Sequence, residues 1–159
     1  MVAVRFADRK DWLKDLRGWM TWTRADYRFL DYVRGTDDFT GNRLTGTPRN
    51  VATAGLELMP ERGLRVSLTG QYLGRLPLND ANTDFAPEYY TFAARIGYAL
   101  QTTRHSMEFF AGGENLLDRR YSLGHDLNAV GGRYYNAAPG RMLYAGLSLR
   151  VLKAPQKNN

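Results

Sequence analysis

Asp80-Ala81-Asn82-Thr83-Asp84 sets side-chain oxygens at alternate positions, the spacing at which a calcium loop presents its first three ligands. Such a loop also needs glycine at its sixth place and a bidentate glutamate at its twelfth. Phe85 and Thr91 stand there, which excludes an EF-hand. His105 and His125 are the only histidines and fall in separate connections. Neither a histidine-based zinc site nor a Ser–His–Asp triad can be assembled from them. Glu108 and Glu114 share one strand face about 20 Å apart, too far for a glycosidase carboxylate pair. The segment 132–141 carries glycine signals without phosphate-loop spacing. No catalytic residue, resident metal or cofactor is therefore expected. One cluster remains: Arg133, Tyr134, Tyr135 and Arg141, near the end of the longest connection. Two cations beside two aromatic rings suit an anionic chelate. The same side chains would serve equally to anchor the loop.

The elements that must carry these residues alternate apolar and polar side chains with a period of two. The runs are 19–29, 51–59, 64–73, 90–100, 107–114 and 143–151. Leu64, Val66, Leu68 and Tyr72, for example, oppose Arg65, Ser67, Thr69 and Gln71. The connections alternate long and short: 30–50, 60–63, 74–89, 101–106 and 115–142. That rhythm is the one a transmembrane β-barrel makes, with tight turns on one side and long loops on the other. Aromatics cluster near the ends of the oily faces, among them Tyr27, Phe29, Tyr72, Tyr90 and Tyr98, as interfacial girdles require. The fold class expected is all-β, antiparallel transmembrane barrel strands, about six in number and hence a partial barrel.

Composition agrees. Hydrophobic content is 43% and mean hydropathy −0.48. No run approaches the roughly 18 apolar residues of a membrane helix. Absence of cysteine removes disulfides and thiolate sites. A net charge of +6, carried mostly by arginine, suits an anionic partner or a polar lumen. Residues 1–18 read differently: Trp12, Leu13, Leu16, Trp19 and Met20 fall at helical spacing. A short amphipathic helix and a degraded strand end both fit that spacing. Residues 152–159 read as a disordered polar tail. The first residues show no apolar signal-peptide core.

Several segments, in order, carry a family signature. Gly41-Asn42-Arg43-Leu44-Thr45-Gly46-Thr47-Pro48-Arg49-Asn50 precedes a strand, and Tyr72-Leu73-Gly74-Arg75 closes one. Asn79-Asp80-Ala81-Asn82-Thr83 lies in the loop beyond. Gly113-Glu114-Asn115-Leu116-Leu117-Asp118-Arg119-Arg120-Tyr121 follows, and then 132–141. This ordered set over residues 19–151 resembles the C-terminal barrel strands of TonB-dependent outer-membrane receptors, of the ferric-siderophore type. The resemblance implies a Gram-negative outer-membrane location and contact with lipid and lipopolysaccharide. It also implies uptake of an iron chelate or similar ligand in the full-length receptor. Energy from TonB would enter through a plug not seen in this sequence. The turns 60–63 and 101–106 would then be periplasmic and the long loops extracellular. Ligand candidates are the polar loop residues Arg75, Asp80, Asn82, Arg133, Tyr134, Tyr135 and Arg141.

Plugged transporters of this kind have about 22 strands, so six imply a C-terminal barrel fragment with open edges, not transport-competent alone. Two rival readings follow from the same pattern. One is a complete eight-stranded small barrel, which needs strands from residues 1–18. The other is a soluble arginine-rich β module for nucleic acid or acidic glycan. That module would place stacking aromatics on its polar face. Most strand aromatics here sit on the oily one, so no nucleic-acid partner is expected.

Overall fold

A computed structural model describes residues 2–5, 13–60 and 63–151, with side chains for 15–60 and 63–151. In chain order the strands are β1 (Val2–Arg5), β2 (Leu13–Arg24), β3 (Val33–Arg34), β4 (Asp37–Asp38), β5 (Asn50–Pro60), β6 (Leu64–Leu73) and β7 (Leu76–Pro77). They continue with β8 (Phe85–Ala86), β9 (Tyr89–Gln101), β10 (His105–Glu114), β11 (Ser122–His125), β12 (Tyr135–Ala137) and β13 (Met142–Val151). One antiparallel sheet runs β1-β2-β5-β6-β9-β10-β13. It is open: β1 and β13 are each paired on one side only among the described residues. The long connections carry three two-stranded ribbons, β3 with β4, β7 with β8, and β11 with β12.

Register shows why these residues make this sheet. Leu16, Leu58, Val66, Ile96, Ala111 and Ala145 are successive cross-strand partners over six strands, and every one is apolar. The adjacent row is Arg17, Glu57, Ser67, Arg95, Gly112 and Tyr144. Adjacent residues of a strand point to opposite faces, so the sheet has one oily and one polar face. The oily face lies open: Ile96 is 51% exposed and Leu147 57%. A continuous bare apolar face of this extent is not tolerated in water and is what a bilayer covers. Midway down β6 stands Leu68, between the Tyr98 level, paired with Leu64, and the Tyr72–Tyr90 pair.

Glycines let large rings lie flat on the polar face. Trp19 faces Gly55, Phe110 faces Gly146 and Tyr144 faces Gly112 across the ladder. Each ring occupies the space a Cβ on its glycine would need. The two short turns sit together at one end. Gly63, with φ of +82°, opens β6 after one of them, and its carbonyl accepts the Ala99 N–H at 2.8 Å. Thr102 N–H donates to the His105 carbonyl at 2.8 Å to close the other. A small buried apolar core lies at the opposite end, where Leu76, Leu78 and Ala86 pack with Leu73 and Tyr134.

Two expectations change. The N-terminal segment is not helical where it is described: 2–5 and 13–24 are strands. The first long strand is Leu13–Arg24 rather than 19–29, and its oily face holds the even residues Leu16, Met20 and Trp22. Trp19 on the polar side mimicked helical spacing, and pairing with β5 overrode that local signal. The remaining predicted strands agree within two residues. Residues 6–12 and the 152–159 tail lie outside the described residues.

Leu68→Arg, at mid-height of the oily face, should cost about 2–4 kcal/mol of folding stability in lipid vesicles. Thr69→Arg, one residue away on the polar face, should cost much less. Guanidinium titration of the vesicle-inserted full receptor that carries this segment measures the difference.

Candidate ligand site at the long-loop end

Three long connections meet at the end opposite the short turns, and Asp80 joins them. Its carboxylate accepts the Thr45 hydroxyl at 2.5 Å, the Tyr32 hydroxyl at 3.3 Å and an Asn128 amide N–H at 3.1 Å. Its backbone carbonyl accepts Asn42 Nδ2 at 2.9 Å, and its N–H donates to Asn128 Oδ1 at 2.9 Å. Asn82 continues the joint. It accepts the Arg43 N–H at 2.8 Å and donates to the Arg43 carbonyl at 3.0 Å. Asn82 and Asn128 both have positive φ, as do Asn115 and Asp118. Short amide and carboxylate side chains tolerate that conformation because they bond their own turn.

Asn115 does so fully. Buried at the exit of β10, it accepts the Arg119 N–H at 2.9 Å and donates to the carbonyls of Arg119 at 2.9 Å and Pro139 at 3.3 Å. Asp118 Oδ1 accepts the Arg141 N–H at 2.9 Å. The Asn-Leu-Leu-Asp stretch is thus a built turn that fixes where 119–121 cross the head of β9. There Arg119 lies over Tyr90, 4.3 Å from the ring centroid, and Tyr121 packs on Tyr89 with centroids 4.6 Å apart.

Beside that crossing is a cavity of about 260 Å³, lined by Ala86, Pro87, Glu88, Tyr89, Arg120, Tyr121, Ser122, His125, Tyr135 and Ala137. Four rings surround it, with Arg120 and Glu88 as its charged groups. His125 and Tyr135 meet edge to face at 5.7 Å. The buried Ser122 holds the β11–β12 ribbon: Oγ sits 2.5 Å from the Gly124 carbonyl and 2.8 Å from that of Asn136, and accepts the Asn136 N–H at 2.9 Å. Desolvation pushes the His125 pKa below its ordinary 6.5, so the imidazole is neutral at neutral pH. Such a pocket can hold a planar group by stacking and orient its charge. Ser122 and His125 both line it, and the Ser122 hydroxyl is engaged with the Gly124 and Asn136 backbone.

The polar sheet face offers a second concavity, about 270 Å³, lined by Glu57, Arg65, Ser67, Arg95 and Glu108 among others. Arg95 is held there between the Phe110 ring at 4.1 Å and Glu108 Oε1 at 3.3 Å. These read as wall residues of a polar lumen. Among the described residues no group of three metal-capable side chains converges.

Of the seven predicted ligand residues, Tyr135 lines the aromatic cavity. Asp80 and Asn82 are engaged in the loop joint. Tyr134 packs on the buried core and donates to Asp84 at 3.3 Å. Arg75 stacks on Phe85 at 4.0 Å. Arg133 and Arg141 are exposed. Tyr89, Arg120, Tyr121 and His125 escaped prediction because they come from the last long connection and the head of a strand. Their adjacency is a product of the fold.

A family model described as "TonB dependent receptor-like, beta-barrel" matches residues 5–116. Among solved structures, the siderophore receptor PiuA from Acinetobacter baumannii shares the fold, with a TM-score of 0.67 and 20% sequence identity. The match covers 85% of this chain and 20% of that one, so this chain spans about a fifth of that receptor's length. Neither the small eight-stranded barrel nor the soluble basic module is favoured by these matches.

Asp80→Ala should leave the sheet intact and loosen all three connections together. Hydrogen exchange in 40–46, 79–84 and 126–130 should rise by an amount equivalent to about 1–3 kcal/mol of local stability. His125 gives a pH test. Its folded pKa lies below the unfolded one, so the released ribbon binds a proton more readily. Stability of 122–137 should be full above 6.5 and fall as pH drops below it. His125→Gln should abolish that dependence, read by amide exchange across pH.

Proposed function

This chain belongs to the TonB-dependent receptor β-barrel family, and from that membership we propose that it supplies C-terminal barrel wall and ligand-facing loops to an outer-membrane receptor for iron chelates of the siderophore class. The observation that carries the reading is the pairing of a two-faced barrel sheet with long loops that are stitched together at one end only. The oily face meets outer-membrane lipid and lipopolysaccharide. The polar face lines the lumen, where a plug domain of the full receptor would sit and transmit the pull of TonB. Tyr89, Tyr121, Tyr135, His125 and Arg120 contact the chelate at the mouth. The role is recognition and passage, with no bond made or broken by this chain. Stacked rings and one guanidinium suit a planar, anionic chelating group.

The test is binding of ferric chelates to the full receptor that carries this segment. Tyr121→Ala together with Tyr135→Ala should raise Kd by about tenfold or more. Arg104→Gln, in the short turn at the far end, should leave it unchanged. Fluorescence quenching titration reads both. An unchanged Kd in the double variant would remove the pocket from the ligand path.

A further inference from the structure

The oily face ends, toward the long loops, in a row that runs in register across four strands. Trp22 stands opposite Ala52, Ala52 opposite Tyr72 and Tyr72 opposite Tyr90. Two residues beyond Trp22, on the same face and opposite Asn50, stands Arg24. At the far end of the row Arg119 lies over the outward Tyr90 ring at 4.3 Å. Both arginines are exposed, and the ion pairs of the described residues include neither. Nearby carboxylates are engaged elsewhere. Asp26 lies 3.7 Å from Arg28 and 3.3 Å from Arg49, and Glu88 accepts the Tyr72 hydroxyl at 2.7 Å.

Height and charge together define what fits. An aromatic row marks the membrane–water interface, and cations just beyond it sit at the level of lipid headgroup phosphates. Three strand spacings of about 4.8 Å put the two arginines roughly 14 Å apart. A guanidinium stacked on a ring keeps its edge N–H groups free for bidentate phosphate binding. We propose that Arg24 and Arg119 form a clamp for the phosphates of a phosphorylated lipid in the leaflet on the long-loop side. The proposal rests on the membrane placement of this sheet argued above, and it adds a specific lipid-phosphate site.

Native mass spectrometry of the detergent-solubilised full receptor that carries this segment tests it, with diphosphorylated lipid A and its enzymatically dephosphorylated form as probes. The wild type should retain lipid A through detergent exchange. R24Q/R119Q should retain it about tenfold less well. R133Q, which removes a loop arginine, should behave as wild type. The dephosphorylated probe should bind all three alike, and millimolar inorganic phosphate should not displace lipid A. Heat-modifiable gel migration checks folding of each variant. R119K keeps the charge without the flat fork and should bind more weakly than wild type, so the idea stands or falls even if the double variant misfolds. Equal retention by wild type and the arginine variants overturns the clamp. So does an equal loss in R133Q, which would mean diffuse charge, or displacement by free phosphate, which would mean an adventitious ion. A full receptor carrying this segment that fails to gain protease protection in phosphatidylcholine vesicles overturns the membrane reading as well. Protection without phosphate discrimination overturns the clamp alone.

Discussion

A backbone amide in hydrocarbon has no water to bond, and each unpaired group costs several kcal/mol. The long ladders from β2 to β13 answer that constraint, and the rest of the chain is arranged around them. Pairing fixes the register, and the register fixes the faces, because a one-residue slip would turn every side chain over. It explains why Leu58, Val66 and Ile96 follow one another across strands while Glu57, Ser67 and Arg95 do so one residue away. It also explains the glycines on the polar side. Rings as large as Trp19 and Phe110 lie flat there only because Gly55 and Gly146 leave room beneath them. The same constraint bears on the edges. Among the described residues β1 and β13 each have one unpaired side, and in lipid such a side is satisfied only by a covering strand.

Outside the ladder the problem reverses. The long loops lie beyond the apolar band, where water competes for every hydrogen bond, and little apolar area is available to bury. Leu76, Leu78 and Ala86 make a core of only a few side chains. Order comes instead from side chains that bond backbone across loops. Asp80 and Asn82 tie 42–45 to 79–84, Asn128 ties in the third loop, and Asn115 and Asp118 brace the return to β13. Asparagine and aspartate dominate because one short side chain can both accept the positive φ of a turn and satisfy its donors.

That division accounts for what the sequence made legible. Period-two alternation is a strong signal in β5, β6, β9, β10 and β13 because lipid demands it, and their bounds were readable within two residues. It is weak in β2, where Gly18 interrupts the oily set and Trp19 sits on the polar side. There the pairing partner decided, and no local pattern could have shown it. Loop geometry left a different trace. The conspicuous residues, Asp80, Asn82 and Tyr134, look like ligand contacts by type. Inside the fold they are bonded to their neighbours. The pocket draws on Tyr89, Arg120, Tyr121 and His125, which are ordinary one by one. Arg120 and Tyr121 lay within the family-like motif, and only the turn held by Asn115 explains why they end beside Tyr89.

The crossing of 119–121 over β9 has a consequence for how the two faces of the wall relate. Tyr89 and Tyr90 are consecutive in a strand and therefore point to opposite sides. Tyr121 packs on the first and Arg119 on the second. One short segment thus straddles the strand head, with the aromatic pocket on one side and the girdle on the other. Asn115 holds its near end through the Arg119 backbone, and Ser122 fixes its far end through the β11–β12 ribbon. Any displacement of Tyr121 pulls on Arg119, two positions away in the same extended segment. The inner and outer surfaces of the wall are therefore mechanically joined at this point. The joint needs no long chain of side chains, because a single extended segment spans it.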